Sequence, residues 1–268
     1  MNMLVIDNEV IIRLAFFSGI LALMALLELL VPRRRLTAPK GVRWLNNLIL
    51  TFFNSLLLRL VFPVTAVGAA IIAADHSWGA LNALGVAGWS TGIISMLLLD
   101  LTIYAQHFFF HRIRLFWRLH RMHHTDLDID VTTGARFHPL EIIISMAIKM
   151  AVVIALGVPA WAVVVFEVIL NGSSMFNHSN IYMGKATDRF MRLLVVTPDM
   201  HRLHHSVIIG EQNSNFGFNF PWWDRLFGTY LDQPSAGHEG MTIGLANYRN
   251  PRWLRLPWML ALPFRKEP

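Results

Sequence analysis

Ten of the twelve histidines in this chain lie at short, regular spacings that could place several imidazoles around a metal ion. Eight of them form three motifs, which are His107-x-x-x-His111, His120-x-x-His123-His124 and His201-x-x-His204-His205. The other two, His138 and His178, lie between the second and third motifs. Neutral imidazole is the commonest metal ligand in proteins. One ion takes about three to six protein ligands, so ten histidines predict a site for two metals.

The composition predicts an integral membrane protein, because 54% of the 268 residues are hydrophobic. Apolar runs lie at residues 11–31, at 44–74, from 89 into the first histidines, at 140–156, and from 160 to just beyond 170. A membrane-spanning helix needs about 20 such residues. The second run is longer than this and contains Pro63, which predicts a tilt, a kink or an interfacial start. We therefore expect an all-α bundle of four or five spans that carries a histidine-rich helical cap.

Basic residues predict the topology of these spans. Residues 33–43 and 112–136 are rich in arginine, whereas residues 75–88 contain no lysine or arginine. The positive-inside rule makes the first two segments cytoplasmic and the third external. All ten clustered histidines then lie on the cytoplasmic face, while His76 and His238 are interpreted as surface residues. The net charge of +6 fits this topology, so no nucleic-acid partner is expected.

Helical spacing places other polar residues near the histidines. Asp100 and Tyr104 share one helical face with His107 and His111, and each H-x-x-H-H motif is predicted to bring its three imidazoles together. A carboxylate at membrane depth needs a partner. Asp100 therefore either orients a ligand histidine or an arginine, or serves as a structural hydrogen-bond partner in the bundle.

Two glutamates lie at or inside the apolar runs. Glu167 is predicted to pair with Lys149 across a hairpin, and Glu141 is predicted to form an ion pair near the membrane boundary.

The three motifs resemble the histidine boxes of the membrane fatty acid hydroxylase/sterol desaturase superfamily. The segments around them resemble it too: Arg136-Phe137-His138-Pro139-Leu140-Glu141, Asn177-His178-Ser179-Asn180, Asn215-Phe216-Gly217, and Trp223-Asp224-Arg225-Leu226-Phe227-Gly228-Thr229-Tyr230. The similarity runs from about residue 100 to 230, and the first hundred residues match only as hydrophobic spans.

The resemblance implies a non-haem di-iron oxygenase, which holds two iron ions and uses O2 to hydroxylate or desaturate a membrane lipid or sterol-like substrate. It implies that the eight box histidines are ligands and that His178 is a ninth. His138 is implied to be a ligand or a nearby hydrogen-bond donor, and Asn215 to hold a metal-bound water. An all-histidine shell differs from soluble di-iron proteins, in which Glu-x-x-His helices supply carboxylates.

The electrons for this chemistry are expected to come from a separate protein. The chain has no cysteine, which excludes disulfides, thiolate ligands and a cysteine-held iron–sulfur cluster. It also has no dinucleotide fingerprint and no evident cytochrome b5 domain. We expect a ferredoxin, a cytochrome b5-like protein or a flavoprotein reductase to dock on the basic cytoplasmic face.

Two other classes of function remain open at this level. A zinc-dependent membrane hydrolase would need only about three protein ligands and an open position. A haem-binding electron carrier would place isolated histidines on facing spans.

The chain is predicted to be a single membrane domain, 1–268. Its spans lie in 1–99, its catalytic region in 100–230 and an amphipathic surface tail in 231–268.

Overall fold

The computed structural model describes residue 6 and residues 8–266, and their regular structure is nearly all helical. Five segments are long and apolar enough to cross a membrane, namely Glu9–Leu30, Lys40–Ala83, Trp89–Arg112, Pro139–Leu156 and Ala160–His178. The prediction of an all-α membrane bundle is therefore confirmed, with five candidate spans.

The helices follow one another in the described part of the chain as α1 (Glu9–Leu30), α2 (Lys40–Val61), α3 (Ala66–Asp75), α4 (Ala80–Ala83), α5 (Trp89–Arg112), α6 (Arg114–His124), α7 (Pro139–Leu156), α8 (Ala160–His178), α9 (Lys185–Met191), α10 (Pro198–His204), α11 (Ile209–Gln212), α12 (Trp222–Leu226), α13 (Gly237–Gly240) and α14 (Leu256–Ala261). Short 3-10 helices cover Val131–Ala135, Ala246–Tyr248, Pro251–Leu254 and Leu262–Phe264. The isolated β-bridges are Pro32 with Ile181 and Ser206 with Ile243.

The long second run is broken at Pro63. Helix α2 ends at Val61, and α3 begins at Ala66 after Thr65, whose hydroxyl accepts a hydrogen bond from the Gly68 amide. Proline lacks an amide hydrogen and clashes with the preceding turn, so the helix cannot continue through it. The separate helix α3 packs against α7 and α8.

A tight turn joins α7 to α8. Gly157 caps α7 with a φ of 72°, a left-handed conformation that favours glycine. A side chain there would also meet the carbonyl oxygen of Trp78 at 2.6 Å. The turn makes α7 and α8 a hairpin, and both helices contribute to the apolar core with α3 and α5.

The predicted ion pair across this hairpin is confirmed. Lys149 Nζ lies 2.5 Å from Glu167 Oε1, and the guanidinium of Arg13 in α1 lies 3.0 Å from Glu167 Oε2. A buried carboxylate at this depth is tolerated because both of its oxygens face cations.

The C-terminal segment differs from the amphipathic surface tail that we predicted. Trp253, Leu254, Met259 and Leu262 are buried, and several of them pack with Leu50 of α2 and Met122 of α6. We predicted a surface segment because arginines alternate with these apolar residues. Periodicity alone does not show whether an apolar face packs against lipid or against the rest of the protein. We call residues 246–264 the C-terminal strap.

Three arginines hold the C-terminal strap in place, of which Arg118 in α6 donates to the Pro263 carbonyl at 2.7 Å. Arg121 in α6 donates to the Leu262 carbonyl at 2.9 Å, and Arg136 donates to the Trp253 carbonyl at 2.8 Å. The strap is therefore fastened to the same elements that carry the second histidine motif.

Candidate metal centre

Nine of the ten clustered histidines come together in two groups. The five-histidine group consists of His107, His111, His120, His124 and His204. The four-histidine group consists of His123, His178, His201 and His205. Within each group the nitrogens that could bind a metal lie within 4.8 Å of one another. The two groups are adjacent, since the rings of His124 and His205 stack with centroids 4.5 Å apart.

The division corrects our expectation that each H-x-x-H-H motif converges as a unit. His120 and His124, four residues apart, join one group, whereas His123 joins the other. The third motif splits in the same way, with His201 and His205 in one group and His204 in the other. Residues four apart point along nearly the same direction of a helix, while the residue three along is displaced around it. Each of these two motifs thus contributes to both groups, whereas His107 and His111 of the first motif both belong to the five-histidine group.

Hydrogen bonds fix the orientation of several rings in the five-histidine group. Nδ1 of His107 donates to the Phe216 carbonyl at 2.9 Å, and Nδ1 of His204 donates to the Ser214 carbonyl at 2.8 Å. In these neutral rings Nε2 carries the lone pair, and both Nε2 atoms are buried without a hydrogen-bond partner. Such a pattern is typical of histidines that bind a metal through Nε2.

The four-histidine group gives a direct test of whether its residues fit a cation. Nδ1 of His178 donates to the Ser174 carbonyl at 2.7 Å and Nδ1 of His123 donates to the Arg136 carbonyl at 3.1 Å. Both Nε2 atoms are then unprotonated, yet they lie only 3.1 Å apart. Two facing lone pairs at this distance repel each other unless a cation lies between them.

The spacing of these nitrogens also fits one ion. Nε2 of His178 lies 3.1 Å from Nε2 of His201 and 3.2 Å from Nε2 of His205. Two nitrogens that are each about 2.0–2.1 Å from an ion lie about 3.0 to 3.4 Å apart at the usual coordination angles. The donor set therefore fits a bound metal.

Burial keeps the imidazoles neutral. It lowers the pKa of His123, His124, His201 and His205 well below the usual value, and the neighbouring histidines lower each pKa further. Burial likewise lowers the pKa of His204 to about 3. Because only the neutral ring offers a lone pair, these histidines can bind a metal at physiological pH.

Glu141 orients His120 of the five-histidine group, a contact that the sequence did not predict. Its Oε1 accepts a hydrogen bond of 2.7 Å from Nδ1 of His120, and both side chains are buried. A carboxylate behind a ligand imidazole fixes the ring and makes it a stronger donor. The sequence places Glu141 at the start of α7. His120 is 21 positions earlier and in another helix, so the spacing did not predict the contact.

Replacing Glu141 with glutamine is expected to weaken metal binding by about 10–100-fold, because the amide lacks the carboxylate charge behind His120. Titration of the purified protein with Fe²⁺ against a competing chelator measures the change. The control is His138→Asn, which alters the same helix start and should leave the affinity unchanged. Equal losses in the two variants would contradict the role of Glu141.

His138 lies outside both histidine groups, contrary to its prediction as a possible ligand. Its Nδ1 accepts from the Leu140 amide as the N-cap of α7, and its Nε2 donates to the Leu260 carbonyl of the strap at 3.2 Å. Both ring nitrogens are thus engaged with backbone groups. Proline follows directly, at the first position of α7, so His138 serves to begin this helix.

Asp100 is a structural partner, and its hydrogen bonds go to residues 219–223 and not to the clustered histidines. It accepts hydrogen bonds from Asn219 Nδ2 and Trp223 Nε1, both at 2.8 Å. Asp224 likewise accepts from the Phe216 amide at 2.7 Å. The two carboxylates shape residues 216–224, and the Phe216 carbonyl in this segment orients His107. Asp100 therefore acts on the site only through the backbone of another segment.

Asn215 also has a structural place. Its side-chain amide donates to the carbonyls of Met200 and Leu231, and its oxygen accepts from the Leu231 amide. Its φ of 54° is a left-handed conformation that asparagine tolerates better than most residues. The amide groups are thus committed to backbone partners and not to a metal-bound water.

The remaining two histidines differ from each other. His76 is exposed, as predicted, whereas His238 is buried with Nε2 3.7 Å from Asp199. Asp199 also contacts Arg202, which is close to it in the sequence, and Arg33, which is 166 residues away. The burial of His238 depends on such contacts between distant segments, so local spacing could not predict it.

A buried ionic network supports the loop after the second motif. The guanidinium of Arg43 lies 2.6 Å from both Asp126 and Asp130 and donates to the hydroxyl of Thr133 at 3.0 Å. Burial raises the pKa of Asp126, but attraction to the guanidiniums of Arg43 and Arg136 and the hydrogen bonds from Arg43 and Thr133 together hold that pKa below the usual value. The network ties α2 to the segment that leads to Arg136, whose carbonyl orients His123.

Aromatic side chains line the histidine groups. The Phe216 ring lies 5.1 Å from His111 and 5.5 Å from His107 and His204, and the Phe137 ring stacks on His123 at 4.6 Å. These rings surround the imidazoles with apolar surface.

With this geometry established, comparison with known proteins gives the family. The sequence profile of the fatty acid hydroxylase family matches residues 92–229, just over half of the chain. The chain belongs to the fatty acid hydroxylase family. The match covers all three histidine motifs and the segment that orients His107.

Individual relatives in this family act on lipids. The ornithine lipid hydroxylase OlsE of Rhizobium tropici is 27% identical over 152 residues, which are 56% of this chain and 45% of that protein. The alkylglycerol monooxygenase of Homo sapiens is 25% identical over 156 residues, covering 57% of this chain and 32% of that protein. The enzyme of the same name from Xenopus tropicalis is 23% identical over 150 residues, with coverages of 56% and 32%. The chain thus matches less than half the length of each relative, and no solved structure matches it.

Proposed function

We propose that this oxidoreductase is a di-iron, O2-dependent hydroxylase of membrane lipids. The observation that carries the proposal is the division of nine imidazoles into two adjacent groups. In the five-histidine group the Nε2 atoms have no hydrogen-bond partner, and in the four-histidine group they converge on one another at 3.1–3.2 Å. A zinc hydrolase needs only about three protein ligands at one ion. A haem carrier would need axial histidines on either side of a large ring, and the described histidine groups are too compact for this.

The residues of the chain hold, orient and shield the site. The nine histidines are the proposed ligands of two iron ions, while Glu141 and the backbone carbonyls behind the rings fix their directions. When bound, iron supplies the activation of O2 that allows oxidation of an unactivated C–H bond. The surrounding phenylalanine rings exclude water, so that reactive species are not quenched by solvent.

The relatives favour hydroxylation over desaturation, and a polar lipid over a sterol. The relatives reported above are an ornithine lipid hydroxylase and alkylglycerol monooxygenases, and none of them is named as a desaturase or as acting on a sterol. We therefore propose that the substrate is a membrane lipid with a polar head, which is oxidised at a carbon of its apolar part or beside its head.

The proposed location of the site is the cytoplasmic face, on the basis of the basic residues 33–43 and 112–136. Electrons would come from a separate ferredoxin, cytochrome b5-like protein or flavoprotein reductase that docks on this basic face. The rate of reduction by such a donor should fall as ionic strength rises. A rate that is independent of salt would count against electrostatic docking.

Untargeted lipidomics tests the proposed reaction. A strain that lacks the protein should lose lipid species that carry one additional oxygen, and expression of the wild-type chain should restore them only when O2 is present. Species that differ by two hydrogens would identify a desaturase. Products of hydrolysis that form without O2 would overturn the proposal.

A further inference from the structure

The lengths of the helices indicate how deep each residue lies in the membrane. Helix α7 has 18 residues and is about 27 Å long, so its whole length is needed to cross a hydrocarbon core of about 30 Å. The turn at Gly157 therefore marks the boundary away from the histidines. The Trp161 ring, just beyond this turn, packs on Trp89 with centroids 5.1 Å apart. Helix α5 thus begins at the same boundary.

By its distance along α5, Asp100 lies near the middle of the membrane. It follows Trp89 by 11 residues, which is about 16 Å along the axis of α5. Trp223 Nε1 and Asn219 Nδ2 donate to this carboxylate at 2.8 Å. The segment around residues 219–223 must therefore reach into the depth of the bilayer, although it follows the third histidine motif.

The backbone amides of this segment are hydrogen-bonded in a way that suits an apolar environment. Irregular backbone at membrane depth is tolerated only where its polar groups are satisfied within the protein. Asp100 accepts from the amides of Asn219 and Phe220, and Asp224 accepts from those of Phe216 and Gly217. Two carboxylates thus satisfy four amides that would otherwise face an apolar environment.

A surface of large apolar side chains lies beside this segment. Its members, which we call the apolar wedge, are Phe190, Leu193, Leu194, Trp222, Leu226 and Phe227, all between 40% and 69% exposed. Trp222 Nε1 donates to the Leu193 carbonyl at 2.7 Å, which joins the two parts of the wedge. The Phe227 ring stacks on the Tyr104 ring with centroids 5.4 Å apart. Tyr104 lies about 22 Å from Trp89 along the axis of α5.

We propose that the apolar wedge is embedded in the hydrocarbon of the leaflet nearest to the histidines, where its partners are the acyl chains of membrane lipids. Its depth supports this assignment, because Phe227 contacts α5 inside the span and not beyond its end. A patch of this kind in water would be unusual for a protein surface. The exposed basic residues Lys185 and Arg189 of α9 precede Phe190 and are suited to lipid phosphates at the headgroup level.

Embedding would bring lipid chains next to the site. Phe216 lies between Tyr104 and His107, with ring centroids 6.4 Å and 5.5 Å away. Only the segment that orients His107 would then separate the wedge from the five-histidine group. This assignment rests on depth and exposure and is independent of the proposed hydroxylase activity.

The absence of cysteine from the chain allows a direct test. Single variants Leu194→Cys and Leu226→Cys are spin-labelled in the full-length protein and reconstituted in phosphatidylcholine vesicles. Electron paramagnetic resonance then compares collisions of the label with O2, which concentrates in lipid, and with a water-soluble nickel chelate. Phe52→Cys on α2, 72% exposed, is the lipid reference, and Glu239→Cys, with its side chain 82% exposed, is the aqueous reference.

Both wedge positions are expected to resemble Phe52, with high accessibility to O2 and low accessibility to nickel. Accessibility to nickel at either position that matches Glu239 would overturn the proposal. Phe190→Cys and Leu193→Cys repeat the test at two further exposed positions if a first label disturbs folding. A thermal unfolding midpoint close to that of the unlabelled protein shows for each labelled variant that the fold is intact.

Discussion

Replacing His204 with alanine is expected to abolish lipid hydroxylation while the protein still inserts in the membrane. His204 is one of five imidazoles in its group, and it comes from a different element than the other four, so it closes that site. Its loss should remove the metal from the five-histidine group and leave the four-histidine group occupied. Metal analysis should therefore change from two ions per chain to one, and oxygenated lipid should fall to background.

Two matched variants sharpen this result. His123→Ala is expected to abolish activity as well, by emptying the other group. His76→Ala removes an exposed histidine near the opposite end of the spans and should leave both metal content and activity unchanged. His238 is unsuitable as a neutral control, because it is buried against Asp199. Full activity in His204→Ala would refute the assignment of this residue as a ligand.

Replacing Arg43 with methionine is expected to cause the largest loss of stability. Arg43 is fully buried, and its removal leaves the carboxylates of Asp126 and Asp130 without their cation. Breaking a buried ion pair from one side costs about 3–5 kcal/mol. Thermal unfolding of the purified protein in detergent measures the loss. Metal should also be released more easily, because the same network supports the segment that orients His123.

The control for Arg43 is Arg35→Met in the same basic segment, since Arg35 is exposed and its replacement should change stability little. The double variant Arg43→Met with Asp126→Asn should recover part of the lost stability, because it removes one of the two uncompensated charges. Equal stability of Arg43→Met and Arg35→Met would show that the buried network does not stabilise the fold.

Local spacing allowed much of the site to be predicted from the sequence. His107 and His111 are four residues apart, and so are His120 and His124, so each pair must share a helical face and can share an ion. The apolar runs likewise predicted the spans, because a run of about 20 apolar residues has few other stable locations. These inferences depend only on the geometry of one helix.

The tertiary structure decided which side chains meet across helices. The division of the motifs into groups of five and four, the contact of Glu141 with His120, and the exclusion of His138 all depend on how separate elements pack. The placement of the C-terminal strap and of the Arg43 network has the same origin, since 83 residues separate Arg43 from Asp126.

The sequence by itself therefore determined the donor set of this protein: an imidazole-rich candidate metal site that is carried by a bundle of apolar helices. The three-dimensional packing determined how those imidazoles divide into two groups, what holds them, and which segment lies behind His107. The physical reason is the separation along the chain of the residues that interact. Helical periodicity fixes directions within a few residues, whereas contacts between distant segments depend on the complementarity of whole surfaces.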